Sequence, residues 1–389
     1  MNPHLAPLDV PDGSALSAVQ RLGDLTEPYL GPAATDALFT EALNEANAWH
    51  AERSPFFGRL WRSRPRTPLT TAADAAELPY LHANFLKQHE VLSIPREDVV
   101  LHLTSSGTTG QRSQMFFDTW SIRAGQRMVA RIFDHYGWIT PGQPVNYLVF
   151  GYEPAPGASR GTAFTTHYFC DFAPAKSVFH ALRHNGTDHA FDPFGCVDTL
   201  VRYAEEGLPV RMFGFPSFLY FTLKQLRARG VPPLRLPADS LVLLGGGWKG
   251  HADQQIGKEE LHALVEERLG IPADRVRDGY GSVEHSVPYT ECARHRFHVP
   301  VWSRLFVRDV RTRQVLPYGE RGYPHFLAPH MTSAPVHSVL MGDLVSQYPG
   351  SECGCGIDTP YFTIHGRAGT GKNRSCAVAA AELMKGAAA

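Results

Sequence analysis

Between residues 98 and 281 the chain repeats one unit: a short apolar run, a glycine-bearing turn, then a stretch with helical spacing. The apolar runs are 98–103 (DVVLHL), 145–150 (VNYLVF), 210–213, 240–244 (SLVLL) and 275–278. The helical stretches are 121–135, 198–206, 218–229 and 253–269. This alternation predicts an α/β fold, a mainly parallel sheet with helices on its faces. Upstream, residues 32–50 have the apolar spacing of an amphipathic helix. Residues 51–100 are punctuated by Pro and Arg, with 81–90 reading as a further helix. From about residue 296 the pattern changes to short strands, 300–310 and 337–348, which predict a smaller antiparallel or barrel-like section. There is no internal repeat.

Composition narrows the function classes. Lys plus Arg number 37 and Asp plus Glu 38, a net charge of −1. A surface that tracks nucleic-acid phosphates needs a basic excess, so no nucleic-acid partner is expected. Six cysteines in 389 residues are too few for a disulfide scaffold. No basic and apolar leader opens the sequence, and no run of about 18 apolar residues occurs. A cytoplasmic protein without a membrane partner is the expectation. Most of the 19 histidines are expected to be ordinary surface or core residues. The 35 glycines and 30 prolines exceed the usual share of about 12%, and their placement carries information.

A loop of small residues follows the first strand: Thr104, Ser105, Ser106, Gly107, Thr108, Thr109, Gly110. Its backbone N–H groups and hydroxyls can wrap a polyphosphate. No Lys follows the second glycine, so it is not the GxxxxGK[ST] arrangement. Further glycine turns follow in order: Gly245-Gly246-Gly247, Asp278-Gly279-Tyr280-Gly281-Ser282-Val283-Glu284, Gly342-Asp343 and Gly366-Arg367. The series over about 101–367 resembles the adenylate-forming superfamily of acyl- and aryl-CoA synthetases. The first loop resembles its S/T-S-G-T-T-G motif, Tyr280–Glu284 its Y-G-x-T-E, Gly342-Asp343 its T-G-D, and Gly366-Arg367 the Gly-Arg at its hinge.

The resemblance implies ATP-dependent activation of a carboxylic acid as acyl-AMP with release of pyrophosphate. The acyl group then passes to a thiol or an amine. By the same resemblance, residues 104–110 cradle the β- and γ-phosphates and Tyr280 stacks on adenine, with Gly281 and Ser282 in the same loop. Asp278 accepts from the adenine amino group. Asp343 takes the ribose hydroxyls, Arg367 adds a ribose or phosphate contact, and Glu284 holds Mg²⁺. The carboxylic acid is expected between Phe213, Gly214, Phe215, Pro216, Ser217, the Gly245–Gly247 turn and Tyr280. Val283 departs from the pattern, which often has Thr there; Ser282 and Thr290 are the alternatives for its hydroxyl.

The implied organisation is one large domain over 1–366. Its parts are an N-terminal helical section (1–97), an α/β section (98–290) and a β-rich section (291–366). A short tail, 367–389, stands where the family has a mobile domain carrying a catalytic lysine, so that domain reads as truncated. Lys372 is the tail's lysine candidate. The chain resembles in particular the acyl-protein synthetases of bacterial fatty-acid reductase systems, with which it shares Gly245-Gly246-Gly247-Trp248-Lys249 and the short tail. That branch implies acylation of a cysteine near the C-terminus, here Cys376, which Lys372 and Arg374 flank and activate. Other acceptors are a carrier protein, a reductase or CoA, and a homo-oligomer is an open expectation. The chain is also similar to phenylacetate–CoA ligase-like enzymes. Some of these hold a structural zinc, which implies Cys292, His298, Cys353 and Cys355 as ligands, with His295 competing. Cys170 and Cys196 read as buried bystanders.

Three other readings compete. Residues 366–373 (GRAGTGKN) nearly fit the P-loop of an NTPase, but Asn373 replaces the Mg²⁺-binding hydroxyl and little chain follows. A zinc hydrolase is disfavoured because fully protein-ligated, Cys-rich sites are structural. The third is a catalytically reduced protein that binds an adenylate or docks a partner.

Overall fold

The computed structural model describes residues 3–63, 67–104, 114–154, 168–248 and 250–367. Three helices come first: α1 (Ser17–Asp24), α2 (Pro32–Arg53) and α3 (Pro55–Arg62). Pro32 and Pro55 occupy first-turn positions, where a missing N–H costs no helical hydrogen bond. After a two-residue strand β1 (Leu81–His82) the chain makes only a 3₁₀ turn over Ala83–Lys87. The helix expected at 81–90 is therefore corrected to a strand and a single tight turn, because Leu81 pairs with Val339. Strands β2 (Leu101–Thr104) and β3 (Gln114–Phe117) form a separate antiparallel hairpin. The 98–103 run thus stands outside the parallel sheet it was expected to join. Residues 105–110, the expected phosphate loop, lie outside the described residues, as do Lys249, Lys372 and Cys376.

The chain continues through α4 (Thr119–His135), β4 (Val145–Tyr152), β5 (Ala175–His184), β6 (His189–Phe191) and α5 (Pro193–Glu206). Then come β7 (Val210–Gly214), α6 (Pro216–Ala228), β8 (Leu241–Leu244), α7 (Lys258–Leu269) and β9 (Val276–Tyr280). The short β10 (Tyr289–Thr290) completes a seven-stranded sheet of order β10-β9-β8-β7-β4-β5-β6. Its five central strands are parallel and its two edges antiparallel. Side chains alternate between its faces. Leu148, Phe150, Met212 and Val242 enter one buried cluster, with α5, α6 and α7. Val145, Tyr147, Phe213, Leu241 and Leu243 enter another, with Phe133 and Trp138.

A second open sheet is built from β11 (Phe297–His298), β12 (Arg304–Arg308), β13 (Arg321–Leu327), β14 (Ser338–Leu340), β15 (Asp343–Tyr348) and β16 (Tyr361–Arg367). The order is β1-β14-β13-β15-β16-β11, with β12 also on β13. No barrel closure occurs among the described residues. Between β13 and β14 the irregular segment 328–337 is buried throughout. A buried loop needs partners for its carbonyls, and other elements supply them. Trp120 Nε1 donates to His330 O (2.8 Å), His50 Nε2 to Met331 O (3.0 Å), Trp49 Nε1 to Thr332 O (2.9 Å) and Ser93 N to Ser333 O (2.8 Å). Asp118 caps α4 by accepting from Ser121 N (2.7 Å) and also accepts from Thr332 Oγ1 (2.6 Å). The start of α4, just after the β2–β3 hairpin, is thereby pinned to the sheet that carries Asp343.

No helix among the described residues is long and apolar enough to cross a membrane.

Candidate active site

The parallel register aligns Phe150, Gly214, Leu244 and Asp278 in one row across the sheet. The turns after β7, β8 and β9 therefore open at the same carboxyl edge, where ligands bind in open α/β sheets. Gly245 N donates to Gly214 O (3.0 Å), tying two of these turns together. Gly214 has φ of +127°, and a Cβ there would stand 2.2 Å from Phe150 O. Both the backbone conformation and the space exclude a side chain. Gly214→Ala is expected to cost at least about 2 kcal/mol of stability, read as a lowered urea midpoint.

Three of the expected nucleotide residues meet where the two sheets face each other. Tyr280, the last residue of β9, donates its hydroxyl to Asp343 Oδ2 at 2.9 Å. Asp343 opens β15 and pairs directly with Arg367 on β16, whose Nε is 3.5 Å from Asp343 Oδ1. The Tyr280 ring is held by Tyr289, Phe297, Phe326 and Phe362, with centroids 5.7–6.2 Å away. Burial first, then the Asp343 and Glu284 carboxylates, push the Tyr280 hydroxyl well above its ordinary range. It stays protonated, as a donor to Asp343 must.

Glu284 sits in the turn that follows. Ser282 Oγ accepts from His285 N (3.2 Å), Ser286 N donates to Ser282 O (2.8 Å), and Ser286 ends the turn with φ of +60°. Glu284 is 6% exposed and makes no hydrogen bond or ion pair among the described residues. A largely enclosed carboxylate whose oxygens still reach the site and have no partner among the described residues fits a divalent cation. Val283 packs against the apolar core, and Thr290 is buried in β10 beside Gly279.

Asp278 is placed differently from the rest. Its Oδ2 accepts from Lys258 Nζ at 2.7 Å, and the same ammonium bonds Glu291 Oε1. Sequence reasoning missed Lys258 and Glu291. They are 20 and 13 residues from Asp278, and no motif spacing links them.

The expected acid-binding set is only partly assembled. Phe213 is 1% exposed and belongs to the core layer with Phe133 and Trp138, because alternation along β7 puts it on the face opposite Met212, while Phe215 lies beyond the strand, past the positive-φ Gly214. Phe215 packs on Tyr152 (6.1 Å between centroids) and Phe218. Pro216 opens α6, and Ser217 is fully buried in its first turn.

Cys292, His298, Cys353 and Cys355 converge, with one ligand atom from each lying within 4.8 Å of all the others. Cys292 Sγ is 3.6 Å from Cys353 Sγ, and Cys355 Sγ is 3.2 Å from His298 Nε2. Tetrahedral metal–sulfur and metal–nitrogen bonds place such donors roughly 3.5–3.8 Å apart. His298 Nδ1 donates to Thr359 O at 2.7 Å, which leaves the Nε2 lone pair facing the thiols. His295 is not in the set. Its ring lies 4.6 Å from that of His262, and its Nδ1 is 3.5 Å from Glu291 Oε2. Cys170 and Cys196 are not in it either.

The fold is that of CoA ligases of known structure. The chain superposes on 2-hydroxyisobutyryl-CoA ligase, solved in an open conformation with 2-HIB-AMP and CoA, with a TM-score of 0.64 at 18% identity. The match covers 88% of this chain and 73% of that one. Residues 62–385 match the family "Acyl-protein synthetase, LuxE", and the chain belongs to it. A long-chain-fatty-acid–luciferin-component ligase of Vibrio harveyi is 22% identical over 67% of this chain and 67% of its own. A phenylacetate–coenzyme A ligase of Thermus thermophilus is 24% identical over 82% of this chain and 67% of its own.

Proposed function

We propose that this chain activates a carboxylic acid with ATP and passes the acyl group to a thiol. The observation that carries this reading is the Tyr280–Asp343–Arg367 constellation, with the Glu284 carboxylate, which has no partner among the described residues, beside it. A carboxylate is a poor acyl donor because oxide is a poor leaving group. In the first step its oxygen attacks the α-phosphorus of ATP, the bond to the β-phosphate oxygen breaks, and pyrophosphate leaves. In the second, a thiolate attacks the carbonyl carbon and AMP leaves. The protein's part is positioning and charge neutralisation. Asp343 accepts from the ribose hydroxyls, Tyr280 packs on the adenine, and Arg367 faces the ribose or phosphate. Residues 104–110 cradle the outer phosphates. Glu284 would hold Mg²⁺, which neutralises phosphate charge when bound. The acid lies beside the 245–247 turn and Tyr280.

The acceptor is Cys376, a carrier or reductase thiol, or CoA, and Lys372 is the tail's candidate for the catalytic lysine. The family and its ligase-named relatives support a thiol acceptor. A reducing cytoplasm suits this chemistry. The test is incubation with ATP, Mg²⁺ and a panel of fatty, aryl and amino acids, followed by intact mass. The expected products are AMP, pyrophosphate and an acyl adduct that is absent from Cys376→Ala. Release of ADP and phosphate would contradict acid activation. Turnover unaffected by Cys376→Ala would remove Cys376 alone.

Cys292, His298, Cys353 and Cys355 are read as a structural zinc site, since three thiolates and an imidazole leave no open position. The purified chain is expected to carry about one zinc by elemental analysis, and Cys353→Ser to carry much less. A zinc-free, fully stable chain would contradict this.

A further inference from the structure

We propose that Lys258 is a positioning residue for adenine recognition: its ammonium holds one oxygen of Asp278 and leaves the other to accept from the 6-amino group of the base, so the site discriminates adenine from guanine. This rests on the reading of the site as an ATP site.

Lys258 is the first residue of α7. A cation is disfavoured there, because the helix dipole is positive at that end; Glu259 and Glu260 follow it, as the dipole prefers. Its position is explained by what it touches. The ammonium bridges Asp278 Oδ2 (2.7 Å) and Glu291 Oε1. Glu291 is 2% exposed and is itself fixed on three sides. Its Oε2 accepts from Asp278 N (2.9 Å), its backbone N donates to Asp278 O (3.0 Å), and Arg277 donates to its carbonyl (2.7 Å). One cation thus serves two carboxylates that would otherwise repel each other, and Asp278 is locked in position and orientation.

Asp278 stays partly open, with a side chain 37% exposed. Its Oδ1 makes no hydrogen bond among the described residues. Asp278 and Tyr280 are two apart on β9, so they project to the same face. A base packed on Tyr280 therefore has the Asp278 carboxylate along its edge. Adenine presents a 6-amino donor there, and guanine presents a carbonyl acceptor that a carboxylate repels. Hydrogen bonds to charged groups are strong enough for about tenfold or greater discrimination.

Two measurements test this on the full-length chain. AMP and purine riboside 5′-monophosphate, which lacks only the 6-amino group, are titrated calorimetrically into the unmodified protein. AMP is expected to bind about tenfold or more tightly; equal affinities overturn the proposal. In pyrophosphate exchange, Lys258→Met should raise KM for ATP about tenfold while kcat stays within about threefold. Its KM for GTP should barely move, so the ATP:GTP ratio shrinks, and Lys258→Arg should restore most of it. Unchanged zinc content in Lys258→Met, relative to the unmodified chain, shows that the segment carrying Glu291, Cys292 and His298 is intact. An unchanged ATP:GTP ratio overturns the role of Lys258 while leaving acid activation standing. Exchange with no acid at all overturns acid activation, and the AMP titration then still decides the adenine contact. Failure of AMP to bind overturns both.

Discussion

Asp343→Ala is expected to lower kcat/KM for ATP in pyrophosphate exchange by about 10²-fold or more. Asp343 is the meeting point of the two sheets in the site, taking the Tyr280 hydroxyl on one oxygen and facing Arg367 with the other. In the proposed complex the same carboxylate also accepts from the ribose hydroxyls. Each charge-assisted hydrogen bond lost costs about 1.5–3 kcal/mol, and two of them account for 10²-fold or more. Tyr280→Phe provides the contrast. It keeps the ring proposed to pack on the base and removes only the hydroxyl, so a loss of about tenfold or less is expected. Exchange rates for the two variants check this directly. An Asp343→Ala variant with wild-type kcat/KM would mean that the nucleotide sits elsewhere.

The second large effect is on stability. His50 and His337 stack at 4.9 Å in the interior, and His325 lies against Arg308, whose Nε donates to its Nδ1 (3.0 Å). Burial lowers all three below the ordinary histidine range, His337 to about 3, and holds His330 at about 4. These rings are neutral in the folded chain and titrate near pH 6.5 once it unfolds. Below pH 6.5 the unfolded chain therefore binds more protons, and stability falls with pH. Stability from these groups is complete above about pH 6.5 and is lost progressively toward pH 3–4. At pH 5 each such histidine costs about 2 kcal/mol, a large share of the 5–15 kcal/mol of a typical domain. Urea midpoints at pH 7.5 and 5.0 measure it. His330 supplies an internal control, since neither ring nitrogen has a hydrogen-bond partner among the described residues. His330→Phe removes no bond and should flatten the pH slope. A urea midpoint unchanged between the two pH values would contradict the buried, neutral assignment.

Much of the site was legible because its residues lie in short motifs. Tyr280 and Glu284 share one turn, Asp343 and Arg367 each follow a glycine, and Cys292, His298, Cys353 and Cys355 lie in two close clusters. The α/β repeat was legible because apolar runs and helical spacing alternate cleanly. What escaped depends on contacts distant in sequence. The strand β5 (KSVFHALRH within it) mixes charged and apolar residues without alternation and gave no strand signal. Residues 81–90 carry helical spacing, yet pairing with β14 holds Leu81 and His82 extended. Phe213 looked like a pocket wall because it adjoins the Gly214 turn, but strand alternation sends it into the core. Lys258 reads as one charge among several on a helix, and only the fold brings it to Asp278. The histidines read as unremarkable, while the fold buries several of them and uses His50 to satisfy the carbonyl of Met331.

Isotope transfer tests acid activation most directly. An acid that turns over, labelled with ¹⁸O in its carboxylate, is incubated with ATP, Mg²⁺ and the chain, and the products are separated by mass. Attack of the carboxylate on the α-phosphorus places one ¹⁸O in AMP and none in pyrophosphate. Unlabelled AMP, or label appearing in inorganic phosphate beside ADP, would contradict an acyl-AMP intermediate.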